Sequence, residues 1–301
     1  IQFNDQKGRE VYFEQLISMV SGNKYIESID LNESGFIDIT LNIFEVSKYL
    51  NKTKKEVLDT IKDPDPKEYI FDYGGPNIGK SMHVGHLRPL NIGRALYNIY
   101  SLSGNNCVSD IHLGDWGIPI SQILTFCYEN KIEISKISAE DLQNIYPVAS
   151  KEFLQNEDFR NKVNSNLKKL NLKESKILND WNQISNITVE NVKKTLQKLN
   201  HTFDLFYGES TVVDLIPDMI SKMKIEDKVE LDDGALVSKE IADPPILILK
   251  SDGSYLYMTT DLATVIDREA NLSPDYYIYV VDMRQSEHFK QLFSSVKFFE
   301  L

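Results

Sequence analysis

Three of the chain's five histidines stand between positions 83 and 112, and two of them, His83 and His86, are three residues apart. On a helix that spacing puts both rings on one face. They follow a glycine-rich run, Phe71-Asp72-Tyr73-Gly74-Gly75-Pro76-Asn77-Ile78-Gly79-Lys80, that leaves an apolar strand and enters a helix. The free N–H groups and partial positive charge of a helix N-terminus suit a phosphate. Gly85, between the histidines, lets a ligand approach the backbone closely. Imidazole donors gain strength as charge builds on a phosphoryl oxygen, and Lys80 adds a cation. Two other uses of the histidine pair stay open: a two-histidine metal site, and two unrelated surface residues. Lys80 could equally be a solvated loop lysine.

The elements that must hold these residues are legible as a pattern. Tyr69-Ile70-Phe71 is expected as a buried strand. Leu87, Leu90, Ala95, Leu96, Ile99 and Tyr100 then mark the apolar side of a helix that Ser103-Gly104-Asn105 should stop. Val108 to Ile111 reads as the next strand. Strand, helix and strand within about 45 residues make a βαβ unit and imply a parallel sheet. His112, Asp115 and Trp116 then fall at the carboxyl end of a strand, where open α/β sheets bind ligands. Pro89 is compatible with the helix only near its start.

Upstream, residues 25–43 read as two strands, since Ile37, Ile39, Leu41 and Ile43 alternate with Asp38, Thr40 and Asn42. Asn32-Glu33-Ser34-Gly35 supplies the turn. Thr53-Lys54-Lys55-Glu56 fits a capping box before a helix striped by Val57, Leu58 and Ile61. Asp63-Pro64-Asp65-Pro66 reads as a linker. Residues 1–65 are thus expected as an appended small α+β domain and 66–301 as the main one. From about 120 to 245 lies a largely helical insertion, with helical patterns over Ser138–Leu172 and Asn179–Leu199 and a hairpin at Glu230–Ser238. Ile246–Leu249, Tyr255–Tyr257 and Tyr277–Val281 read as strands, and Glu287–Phe299 as a helix.

Composition narrows the class. The 301 residues are 42% hydrophobic and 26% charged, as in soluble globular proteins. No apolar run approaches the ~20 residues of a membrane helix, and no signal peptide opens the chain, so a cytoplasmic location is expected. The first residue is Ile1, which suggests that the N-terminus is cut. Cys107 and Cys127 are too few for a disulfide framework or a zinc site, and no structural metal is expected. A net charge of −12 argues against nucleic-acid binding driven by charge alone. DNA is not an expected partner; a structured RNA held by a local basic face is compatible.

The blocks around the histidines resemble class I aminoacyl-tRNA synthetases. His83-Val84-Gly85-His86 is similar to that family's HIGH motif, with Val in second place. Pro76-Asn77-Ile78-Gly79-Lys80 and His112-Leu113-Gly114-Asp115-Trp116-Gly117 resemble the arginyl-tRNA synthetase branch. So do Lys250 to Ala263, Asp282-Met283-Arg284-Gln285-Ser286-Glu287-His288-Phe289, and Phe203 to Ser210 with Trp181. The resemblance covers about 68–301 and is weaker over 1–60, mainly Gly35-Phe36-Ile37.

It implies a Rossmann-type α/β catalytic domain that uses ATP and Mg²⁺ to activate L-arginine and transfers it to tRNA(Arg). An appended N-terminal domain would touch that tRNA. Asp72, Asn77, Tyr257, Asp261 and Gln285 would line the arginine pocket. Lys80, His83, Gly85, His86, His112 and Asp115 would contact ATP, with Lys80, His83 and His86 acting in catalysis. A guanidinium, with five fixed donors and a permanent charge, does require carboxylates at defined angles. Tyr257 and Asp261 share a helical face if Tyr257 opens a helix. Gly74-Gly75 departs from the family, which usually carries Ser or Ala there. The family's KMSKS-type loop and anticodon-binding domain are not among these residues, so this piece is expected to bind substrate but to charge tRNA poorly. Three rivals stay open: a HIGH-type nucleotidyltransferase for another substrate, an inactive synthetase paralogue that binds RNA, and a metal-binding module on His83, His86 and His112.

Overall fold

A computed structural model of the chain describes residues 6–32, 34, 36–52, 54–80, 82–239 and 245–301. The chain divides into two units, Ile1–Pro64 and Asp65–Leu301. The first holds α1 (Gln6–Val20), β1 (Ile26–Leu31), β2 (Ile37–Leu41), α2 (Ile43–Leu50) and α3 (Lys54–Thr60). β1 and β2 pair antiparallel with Ile29 opposite Ile39. The expected strands are present, but the second ends at Leu41, and Ile43, read as part of it, opens α2 instead; α1 and α2 lie outside the sequence pattern. α2 starts because the Asn42 side chain accepts the N–H of Glu45, an N-cap that was not recognised next to the strand pattern. Thr53 of the expected capping box, and Glu33 and Gly35 of the expected turn, lie outside the described residues.

The second unit is built on a parallel sheet. β3 (Glu68–Tyr73) lies between β4 (Asn106–Asp110) and β8 (Tyr276–Val280), in the order β4-β3-β8. α4 (Val84–Leu102) joins β3 to β4 and completes the βαβ unit. The helix stops at Ser103, and Gly104 follows at φ +88°, a conformation that favours glycine. Pro89 sits in the second turn rather than the first. Its missing N–H leaves the Gly85 carbonyl without a helical donor. Phe71, Tyr73, Leu90, Ile111 and Leu113 form a core on this unit with Val192 and Leu196.

Between β4 and β8 run α5 (Ile118–Glu129), α6 (Ala139–Gln155), α7 (Glu157–Asn171), α8 (Ser175–Lys198) and α9 (Ile216–Ile225). β5 (Val229–Asp232), β6 (Ala235–Ser238), β7 (Leu247–Leu249) and α10 (Tyr257–Asn271) follow, and α11 (Ser286–Phe299) comes after β8. A large core joins Ile123 and Leu124 of α5, Ile184 of α8, Ile216 of α9, Leu262 of α10 and Leu292 of α11. β7, expected as a strand, pairs antiparallel with β6 of the hairpin. One expectation is corrected here: Tyr255-Leu256-Tyr257 is not a strand, since Tyr255 makes one bridge to Leu249 and Tyr257 opens α10. The Thr259 hydroxyl bonds the Ile248 carbonyl and accepts the N–H of Leu256, which starts the helix where aromatic residues suggested a strand.

Candidate active site

At the end of β3 the chain turns sharply. Gly74 has φ +78°, and a Cβ at Gly75 would lie 1.7 Å from the His112 carbonyl oxygen. The two glycines therefore let the turn after β3 touch the turn after β4. The Asn77 side chain lies against Gly114, and Asn77 and Gly114 form an isolated parallel bridge. His83 is the N-cap of α4. Its Nδ1 accepts the N–H of Gly85 at 3.1 Å, and the Nδ1 of His86 accepts the N–H of His83 at 3.1 Å. Each ring thus carries its proton on Nε2, as a donor turned away from the cap. A Cβ at position 85 would meet the His83 ring at 2.8 Å, which accounts for Gly85. Burial, then the nearby His83 and Lys80, push the His86 pKa down, so its ring is a neutral donor. Lys80 reaches over the Tyr146 ring, 4.6 Å from its centroid.

The strand register places Asp110, Asp72 and Tyr279 side by side at the carboxyl end of the sheet. Arg268 of α10 closes over that row. Its Nη2 donates to Asp72 Oδ2 at 2.6 Å and to Asp110 Oδ2 at 2.7 Å, and its Nη1 to the Tyr279 hydroxyl at 3.2 Å. Arg268 is 1% exposed. His112 Nδ1 stands 3.6 Å from Asp110 Oδ2. Burial pushes the Asp72 carboxyl up, against the charges of Arg268 and His112. Burial also opposes ionisation of Asp110, but His112 and Arg268 outweigh it and hold that carboxyl low. For His112, burial is outweighed by Asp110 and Asp72, which raise its pKa. Asp72, Asp110 and His112 have the spacing of a metal site, yet the guanidinium already sits on both carboxylates. This is a poor fit to a cation.

A second acidic group was not anticipated. Glu209, in the Tyr207-Gly208-Glu209-Ser210 segment, is 7% exposed. Burial above all, then the charges of Asp261 and Asp115, push its pKa up to about 8, against the pull of His112 and a Trp116 N–H. Glu209 lines a cavity of about 350 Å³ together with Tyr257, Thr260, Tyr146, Gln122 and Lys250. The Gln122 Oε1 is buried without a hydrogen-bond partner among the described residues. Tyr257, Asp261, Thr264 and Arg268 recur at four, seven and eleven residues along α10, so they share one face. Asp261 Oδ2 accepts from His288 Nε2 at 2.5 Å.

The expected site residues therefore separate into groups. Tyr257 and Asp261 come together near Glu209. His83, Gly85 and His86 form the start of α4, with Lys80 beside them. Gln285 is exposed on a short 3₁₀ turn, Met283–Gln285, three residues before His288. Asp72 and His112 belong to the Arg268 cluster. Asp115 is buried, and its two oxygens accept the Ser210 N–H at 2.8 Å and the Ser210 hydroxyl at 2.6 Å. Burial raises its pKa against those hydrogen bonds. Trp116 packs edge-on against Trp181 and donates to Asn171. The sequence signal for Glu209 was an acid flanked by Gly208 and Ser210; its burial needed the tertiary fold.

Parallel strands, a phosphate-ready helix start and an acid-lined cavity beyond the strands' carboxyl ends define a nucleotide-binding α/β domain. Residues 45–300 match the family model described as tRNA synthetases class I (R), catalytic domain. The chain belongs to that family. It is 33% identical over 304 residues to a protein named arginine–tRNA ligase from Agathobacter rectalis, across 93% of this chain and 51% of that protein. A protein of the same name from Francisella tularensis subsp. novicida is 34% identical over 303 residues, with the same coverage. The chain thus spans about half the length of these relatives. The fold is that of the arginyl-tRNA synthetase of Plasmodium falciparum, with a TM-score of 0.69 at 24% identity over 97% of this chain and 54% of that one. The Thermus thermophilus enzyme gives a TM-score of 0.61 at 18% identity over 97% and 55%.

Proposed function

We propose that this chain carries the amino-acid-activating site of an arginine–tRNA ligase. The arginine carboxylate attacks the α-phosphorus of Mg-ATP and pyrophosphate leaves; the 2′-hydroxyl of the terminal adenosine of tRNA(Arg) then attacks the carbonyl carbon of the arginyl-adenylate, and AMP leaves. Positioning and charge stabilisation carry such a reaction; no covalent nucleophile is required. The Nε2–H groups of His83 and His86, with the N-terminus of α4 and Lys80, would donate to the ATP phosphates. Glu209 and Asp261 would receive the guanidinium, with the Tyr257 ring beside it. Asn77 and Gln285 would offer amide groups to the rest of the amino acid. Asp72 would act through Arg268 rather than on the substrate. Mg²⁺ enters as part of the ATP substrate.

The observation that carries this reading is Glu209. A buried carboxyl on a cavity wall, with no cation of the chain paired to it among the described residues, fits a cationic ligand. Among the described residues no helix is long and apolar enough to cross a membrane, which is compatible with action in the cytoplasm. The test is calorimetric titration with arginine, lysine and citrulline. Saturable heat from arginine alone supports the reading. Equal heat from arginine and citrulline contradicts it, since citrulline lacks the charge. These 301 residues alone are expected to charge tRNA slowly.

A further inference from the structure

His288 stands in the first turn of α11, and its Nε2 lies 2.5 Å from Asp261 Oδ2. Both side chains are partly open, 30% and 26% exposed, so this is not a contact hidden in the core. The second oxygen of Asp261 accepts no hydrogen bond among the described residues and remains available to a cation. The ring of His288 is fixed edge-on against Phe289, whose own ring packs 4.7 Å from Tyr279. Tyr279 in turn touches Arg268. The imidazole is therefore anchored to the floor of the site through α11 and β8.

We propose that His288 is the residue that positions Asp261 for the substrate cation and tunes how strongly the site attracts it. This rests on the arginine reading above. A neutral imidazole with its proton on Nε2 donates to Asp261 Oδ2 and leaves the carboxylate charge intact for a guanidinium. The groups around the pair are Asp261 and Tyr257 on α10, Glu209 on the segment before α9, Tyr279 on β8, and exposed Glu287 and Lys290 on α11 itself. Of these, Glu209 titrates near neutrality, with a pKa of about 8. It does so in the wild type and in every His288 variant, so the ratio of their affinities at one pH isolates the imidazole.

The experiment is arginine titration into the wild type, His288→Gln and His288→Leu at about pH 8, where Glu209 is substantially ionised. Glutamine keeps an N–H donor for the carboxylate; leucine has none. We expect His288→Leu to bind arginine about tenfold more weakly, since a donor to the carboxylate is lost. His288→Gln should restore most of that loss. A purely structural role predicts no rescue by glutamine. Affinity unaltered in both variants overturns the role of His288 alone. A wild type that binds no arginine overturns this proposal together with the reading it rests on.

Discussion

Arg268 Nη2 donates to Asp72 Oδ2 at 2.6 Å across 196 residues of sequence. The carboxylate that the sequence offers to an arginine substrate is thus held by an arginine of the chain itself. The same nitrogen reaches Asp110, so one guanidinium joins two adjacent parallel strands to α10. Removing it leaves the buried Asp110 and the part-buried Asp72 carboxylates facing each other. Arg268→Met is therefore expected to cost about 3–5 kcal/mol, read from urea unfolding. Arg268→Lys keeps the charge but not the fork, and should lose less.

Glu209 gives the stability a pH signature. An unfolded glutamate releases its proton near pH ~4.3, whereas the folded one holds it to about 8. Between those values the folded state keeps a proton that the unfolded state lacks. Stability should therefore fall as pH rises through this window, by at most about 1.4 kcal/mol per unit. Arginine supplies a positive charge to the ionised carboxylate, so it should raise the unfolding temperature more at the upper end than at the lower. Glu209→Gln should flatten the profile.

The two roles of His83 can be separated. Its Nδ1 caps α4, and its Nε2 is left for a phosphate. Asparagine is a good N-cap without a ring, so His83→Asn should stay within about 0.5 kcal/mol of the wild type in stability while ATP affinity drops. His83→Ala should lose ATP affinity and also about 1 kcal/mol of stability. Paired denaturation and nucleotide titrations read both.

Gly75 invites a family-like serine, but a Cβ there would stand 1.7 Å from the His112 carbonyl oxygen. Gly75→Ser should therefore destabilise the chain, by about 1–3 kcal/mol in a thermal melt, rather than recover a substrate contact.

The sequence made the local elements of the second unit legible because each is set by its own residues. The apolar stripe and the Ser103-Gly104 stop defined α4, and the turn residues of Asp232-Asp233-Gly234 defined the hairpin. Tyr257 was harder. Aromatic residues favour strands, and what starts a helix there is a hydrogen bond from Thr259 to Ile248, a partner in another element. The run Ile246–Leu249 reads as a strand, but an apolar run does not name its neighbour, so its pairing with β6 was not legible. The histidine pair at the start of α4 was legible as a helix-start pattern. The Arg268 cluster and the burial of Glu209 were not, since both depend on the register of β3, β4 and β8 and on how residues 203–210 fold back over them.

The central claim is that Glu209 recognises the positive charge of arginine. It is tested by titrating arginine and citrulline into the wild type and Glu209→Gln at about pH 8, where the carboxylate is substantially ionised. Arginine is expected to bind the wild type and citrulline not to, and Glu209→Gln should weaken arginine at least about thirtyfold. Arginine binding Glu209→Gln as tightly as the wild type, or citrulline matching arginine, would contradict it.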